Sequence, residues 1–176
     1  MSAAQSFVPN QLELLQRLAD ESACRELLVR YGIAIDWQDR DSLAAVFWPD
    51  ADIDYGFFKG TGTELVDTLL HIATLSQRRF HMLGGERIRL KGTTAEAESY
   101  IITQAISEDA SKGQTCTLFY GRFLDRLERR QGEWRIAGRV YLQHGAFAGP
   151  YDESKLLGGM LNAEGLNTGH PLFRRV

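Results

Sequence analysis

Between residues 11 and 37 the apolar positions return every three or four residues. Leu12, Leu15 and Leu18 are spaced by three, and Leu27, Leu28, Tyr31, Ala34 and Ile35 continue the pattern, which is the period of one helix face. Gly32 falls inside this helix and implies close packing or a site at that turn. "DRDSLAAVFWPD" then reads as a short second helix, with Asp39 or Asp41 as N-cap and Pro49 forcing the exit. Residues 50–60, "DADIDYGFFKG", alternate like a short strand ending in glycine. Residues 61–75, "TGTELVDTLLHIATL", form a third helix with Thr61 or Thr63 as cap. After them the period drops to that of a strand. "RRFHMLGGERIRLKG", "TAEAESYIITQAIS", "QTCTLFYGRFLDRLERR" and "GEWRIAGRVYLQHG" are separated by Lys-Gly-Thr, Asp-Ala-Ser-Lys-Gly and Arg-Gln-Gly turns. Helices followed by an antiparallel meander make an α+β chain. Its body spans residues 11–150, residues 1–10 form an arm, and residues 151–176 form a tail that lies across the body, covering a pocket or an interface.

Composition narrows the partners. The chain has 176 residues, 44% hydrophobic and 24% charged, with a formal net charge of −3, and so suits one soluble domain. No basic field draws nucleic acid or an anionic membrane. The cluster "RLERR" precedes a turn and reads as a solvated hairpin end. No apolar run approaches the ~18 residues of a membrane span, and "MSAAQSFVPNQLELL" lacks the features of a secretory leader. Cys24 and Cys116 have no metal or redox spacing; two reduced thiols fit a cytoplasmic protein.

Three residues stand out chemically. Asp36 follows an apolar run on the first helix, in a stripe with Val29, Gly32 and Ile33. A carboxylate there is solvated at the rim or has a partner, because an unpaired buried one costs several kcal/mol. His81 lies in a strand among Phe80, Met82 and Leu83, where histidine is either a structural hydrogen-bonding group or an acid–base group. In "WRIAGRVYLQ", Arg139, Tyr141 and Gln143 share one face, and Ile136, Val140 and Leu142 share the other. A mid-strand arginine needs an anion: Asp36, or a transient charge on a substrate. His71, His144 and His170 have no metal spacing, and Asp50, Asp52 and Asp54 alternate along a strand rather than converge, so no metal site is expected.

The ordered set helix–"AIDWQD"–"FWPDADIDYG"–helix–"FH"–strands–"GEWRIAGR" resembles the SnoaL-like branch of the nuclear-transport-factor-2-like superfamily over about residues 12–147. Within it the chain is similar to hexachlorocyclohexane dehydrochlorinase, scytalone dehydratase and bile-acid 7α-dehydratase. The resemblance implies a conical α+β barrel, with N-terminal helices packed on a strongly curved, mostly antiparallel sheet. It puts Asp36 and His81 at the positions of a catalytic pair, in which the aspartate orients a proton-abstracting histidine. Arg139 matches an active-site arginine, and Tyr55 matches a tyrosine that acts through water on a substrate carbonyl. The chain departs where scytalone dehydratase has a second tyrosine, here Ile35, and a second histidine, absent near Tyr100 to Gln104. Scytalone is therefore not the expected substrate.

On this reading the protein is a cofactor-independent lyase of a hydrophobic aromatic or alicyclic small molecule, acting by dehydration, dehydrohalogenation or loss of formaldehyde. Tyr31, Trp48, Phe58, Phe119, Phe123 and Tyr141 are candidates for the pocket wall, with Gly121 leaving space between the two phenylalanines; each also suits plain core packing. The same fold serves as a non-catalytic binding domain, as the small subunit of aromatic-ring dioxygenases, and as a polyketide cyclase or isomerase. Catabolic, dioxygenase or polyketide-synthase gene neighbours separate these alternatives. The apolar strip Ile136, Val140 and Leu142 on the outer face predicts a homo-oligomer, with a trimer favoured by the resemblance and a dimer next.

Overall fold

The computed structural model describes residues 7–109, 113–152 and 165–175. Three helices, α1 (Phe7–Asp36), α2 (Arg40–Ala44) and α3 (Gly62–Thr74), pack on a six-stranded sheet. Its strands are β1 (Phe47–Asp54), β2 (Lys59–Gly60), β3 (Arg78–Lys91), β4 (Thr94–Asp109), β5 (Gly113–Arg130) and β6 (Glu133–Pro150), in the order β2-β1-β6-β5-β4-β3. Every neighbouring pair is antiparallel except β1 and β6. The expected α+β meander is therefore present, closed on one edge by a strand from the helical half of the chain.

α1 starts earlier than its pattern predicts. It begins at Phe7, so Pro9 lies in the first turn, where a missing N–H costs no helical hydrogen bond. The first half stands away from the body, with Leu12, Leu14, Leu15 and Leu18 all exposed. Asp20 pins the helix: its carboxylate accepts from Trp134 Nε1 at 2.8 Å and Arg129 Nη1 at 2.9 Å. From there Leu27, Leu28, Tyr31, Ala34 and Ile35 are buried. Beside Asp20, Cys24 is fully buried, and burial, reinforced by Asp20 and Glu21, pushes its thiol up to about 12; it stays protonated and unreactive.

The caps fall where the candidates lie. Asp39 caps α2 through Ser42 N at 3.3 Å, and Thr61 with Glu64 forms a capping box on α3. Pro49 does not end α2. That helix stops at Ala44, and Pro49 sits inside β1, in the stretch where the pairing with β6 is irregular, a place where a strand tolerates proline.

Two bulges shape β6. Leu127 pairs with Ile136 but Arg126 with Gly138, leaving Ala137 extra; Tyr120 pairs with Gly145 but Gly121 with Gln143, leaving His144 extra. An extra residue reverses the alternation of faces. Ile136 is thus fully buried against the core together with Arg139, and does not join Val140 and Leu142 in an outer strip. The outer apolar face is instead built across strands, from Phe80, Met82, Tyr100, Ile102, Leu118, Tyr120, Leu124, Val140, Leu142 and Phe147, each more than a third exposed.

Candidate active site

The end of α1 and the start of β3 bring Asp36 and His81 together. The His81 ring Nδ1 lies 2.7 Å from Asp36 Oδ1, and the His81 backbone N–H donates to Asp36 Oδ2 at 3.0 Å. One carboxylate thus takes both the ring and the main chain of the same residue. Next to an aspartate oxygen, Nδ1 carries the proton, which leaves Nε2 as the basic nitrogen of the ring. The side chains keep 12% and 17% of their surface exposed, so the pair is sheltered without being sealed. Gly32 makes the approach possible: a Cβ there would stand 3.3 Å from both His81 Cβ and the His81 carbonyl oxygen. The stripe that carries Asp36 is not the core face, because Val29 and Ile33 are exposed. Asp36 occupies the helix edge that Gly32 presses against β3.

Arg139 has a different partner from those expected. Its Nε and Nη2 donate to the two oxygens of Asp125 on β5 at 2.6 and 2.7 Å, and neither side chain is exposed. The guanidinium is boxed by the rings of Phe123 at 3.9 Å, Tyr31 at 4.4 Å and Phe47 at 5.4 Å. Burial opposes its charge, but Asp125, with Tyr55 and Tyr31, more than offsets this and holds its pKa above the usual arginine value. Asp125 is the residue sequence reasoning missed. Its visible signal is an aspartate in "FLDRL", on the inward positions that alternate with Phe123 and Leu127.

Above this pair the Tyr31 and Tyr55 hydroxyls meet at 3.0 Å. Their rings join Phe123 and Tyr141 in one cluster, with centroids 5.4 to 5.8 Å apart, and Tyr31 lies edge-on to His81 at 6.4 Å. Tyr31, Tyr55, Phe123 and Tyr141 are thus gathered beside the Asp36–His81 pair. Phe119 is half-buried further along β5, paired with Thr103 and Ala146. Gly121 leaves no space, since a Cβ there would come within 2.2 Å of the Leu142 carbonyl and 2.9 Å of the Tyr141 ring. Trp48 is not brought to the cluster. Its Nε1 donates to the Glu128 carbonyl at 3.0 Å, and Arg130 and Arg135 cover its ring. Phe58 packs over Gly60 at the β1–β2 turn. His71 and His144 lie on the surface, Asp50 pairs with Arg130, and Asp54 pairs with Lys59. Among the described residues no group of three metal-ligating side chains converges. No described helix is long and apolar enough to cross a membrane.

Burial raises the pKa of both phenols, Tyr31 and Tyr55, with Arg139 opposing. This sets an alkaline limit on stability. The folded state holds protons that the unfolded chain releases near pH 10. Their contribution is fully present below that pH and is lost as pH rises toward the higher folded values. The urea midpoint should therefore fall more steeply between pH 9 and 11 in the wild type than in a Tyr31→Phe/Tyr55→Phe double variant. Equal slopes would mean that both phenols titrate normally.

The family profile of the SnoaL-like domain matches residues 16–140, and the chain belongs to that family. Gamma-hexachlorocyclohexane dehydrochlorinase of Sphingobium indicum is 27% identical over 130 residues, 71% of this chain and 81% of the relative. Two solved structures show the same fold. A type 3 hexachlorocyclohexane dehydrochlorinase from Novosphingobium barchaimii has a TM-score of 0.68 at 18% identity, covering 78% of this chain and 95% of its own. A Novosphingobium aromaticivorans protein provisionally named a scytalone dehydratase has a TM-score of 0.67 at 19% identity, covering 77% and 91%.

Proposed function

We propose that the protein is a cofactor-independent lyase that removes a proton and a leaving group from neighbouring carbons of a hydrophobic aromatic or alicyclic compound. The observation that carries this reading is the 2.7 Å contact between His81 Nδ1 and Asp36 Oδ1. His81 Nε2 takes the substrate proton, the C–H electron pair forms the new double bond, and the leaving group departs with its own bonding pair. Asp36 stabilises the imidazolium. The proton then passes to a departing hydroxide as water, or to solvent when halide leaves. Loss of formaldehyde uses the same base on a terminal hydroxyl proton: the O–H pair forms the carbonyl of formaldehyde, the C–C pair forms the new double bond in place of the C–H pair, and the neighbouring hydroxide leaves and takes the proton from His81 as water. Arg139 is walled in by Asp125 and aromatic rings, so Tyr55, whose hydroxyl meets that of Tyr31 at 3.0 Å, is the group assigned here to hold a developing negative charge. Membership of the SnoaL-like family and the 27% identity to a dehydrochlorinase support this class of reaction.

The test is a screen of halogenated cyclohexanes, aryl alcohols and aryl-propanediols for halide, water or formaldehyde release. Purified wild type and Asp36→Asn are run side by side. Turnover by the wild type that the variant lacks supports the reading. Turnover that survives Asp36→Asn would remove the pair from the mechanism, and binding of these compounds without turnover favours the binding-domain alternative.

The same proposal extends to assembly. Ten large side chains on the outer sheet face remain more than a third exposed, an apolar patch of the kind that marks a protein interface. We take its occupant to be further copies of this chain, a trimer first and a dimer next. Light scattering should give a mass near three protomers. Leu118→Glu/Leu142→Glu should reduce it to one without changing the circular dichroism. A wild-type monomer would overturn this.

A further inference from the structure

Asp36 ends one element and His81 begins another, so their contact depends on what ties helix to strand. Arg79 is that tie. It lies two residues before His81 on the same face of β3, and its guanidinium collects main-chain carbonyls from three directions. Nε donates to Ile35 O at 3.3 Å, Nη1 to Ala73 O at 2.9 Å and Ser76 O at 3.1 Å, and Nη2 to Leu166 O at 2.7 Å. These carbonyls come from the last turn of α1, the end of α3 and the C-terminal strap Gly165–Arg175. The strap is fastened at further points beside Asp36. Trp37 meets His170 at 5.8 Å and Phe173 at 5.5 Å, and Arg175 grips both oxygens of Asp39 at 3.0 and 2.7 Å.

The backbone between these points is strained. Gln38 has φ 52°, a left-handed conformation in which a side-chain-bearing residue crowds its own backbone. It occupies the position after the α1 terminus where glycine is usual, with Gln38 N–H on Ile35 O and Asp39 N–H on Ala34 O. With its amide turned so that both groups find partners, the Gln38 carbonyl accepts from Arg79 Nη1 at 3.2 Å and from Nη2. A non-glycine residue persists there because its surroundings hold it. Burial works against the Arg79 charge, and the nearby Asp36 carboxylate partly offsets that.

We propose that Arg79, completed by the strap Gly165–Arg175, is a positioning device that sets the Asp36–His81 pair. The guanidinium fork spans acceptors that a lysine ammonium cannot reach together, and the strap supplies the last acceptor and braces the turn after Asp36. This inference rests on the acid–base reading of that pair.

The test reads the pair without any substrate. Full-length protein labelled with ¹⁵N-histidine is compared as wild type, Arg79→Lys and the strap variant Phe173→Ser/Arg175→Gln, with Asp36→Asn as the reference for a broken pair. In the wild type His81 should show one Nδ1–H tautomer with a slowly exchanging, downfield proton. In both variants that proton should exchange at least tenfold faster and the Nε2–H tautomer should appear, with methyl spectra still those of a folded chain. Unchanged His81 signals in both variants would overturn the proposal. If Arg79→Lys does not fold, the strap variant decides alone. A wild type that already resembles Asp36→Asn marks a different failure, that of the acid–base reading itself.

Discussion

Replacing His81 with alanine should lower kcat/KM about 10²- to 10⁴-fold on any substrate the screen identifies, the range for losing a positioned general base. His81 is one of four histidines in the chain and the one whose ring nitrogen meets the Asp36 carboxylate. Asp36→Asn should give a loss of similar order, because an amide can present its N–H to Nδ1 and stabilise the wrong tautomer. The double variant should be little worse than either single one, since the two side chains act as a unit. Steady-state kinetics on the three variants measures this. Additive losses would mean that Asp36 and His81 contribute separately, and the orienting role of Asp36 would fall. His81→Ala should still fold, as the His81 backbone N–H keeps its hydrogen bond to Asp36 Oδ2.

Asp125→Ala should cost about 3–5 kcal/mol of stability, because it leaves the Arg139 charge buried without a counter-ion. Both side chains have zero exposure, the pair is bidentate, and Arg139 Nη1 has no hydrogen-bond partner among the described residues. The ring faces of Phe123 and Tyr31 attract the cation and add about 2 kcal/mol or more each when desolvated, but they bring no counter-charge. Replacing both members with apolar residues, as in Asp125→Leu/Arg139→Met, should recover much of the loss, because the penalty belongs to the orphaned charge and not to the missing bond. Urea midpoints of the two variants decide it. A single variant as stable as the wild type would show that water reaches Arg139. A double variant no better than the single would show that the pair is needed for shape as well as charge.

Much of the architecture was legible in the residue pattern. Periods of three to four residues marked α1 and α3, alternation marked β3 to β6, and capping residues marked Asp39 and Thr61, because these signals depend on near neighbours along the chain. Asp36 and His81 were identifiable as candidates because each is a polar group set in an apolar context, and Tyr55 through the family resemblance of "DIDYG". Three things were not legible, each for the same reason. The bulge at Ala137 reverses which face Ile136 presents, and an extra residue is defined only against the strand it pairs with. Asp125 is one aspartate among several until β5 and β6 lie side by side and set it against Arg139. The ties of Arg79 run to carbonyls of Ile35, Ala73 and Leu166, and carbonyls carry no side-chain signature. The sequence by itself determined the elements, their order and the residue types able to move a proton. Tertiary structure alone decided which charges are paired, which aromatic rings enclose them and which ends of helix and strand meet. Those outcomes depend on distances between residues tens of positions apart, which no local pattern encodes.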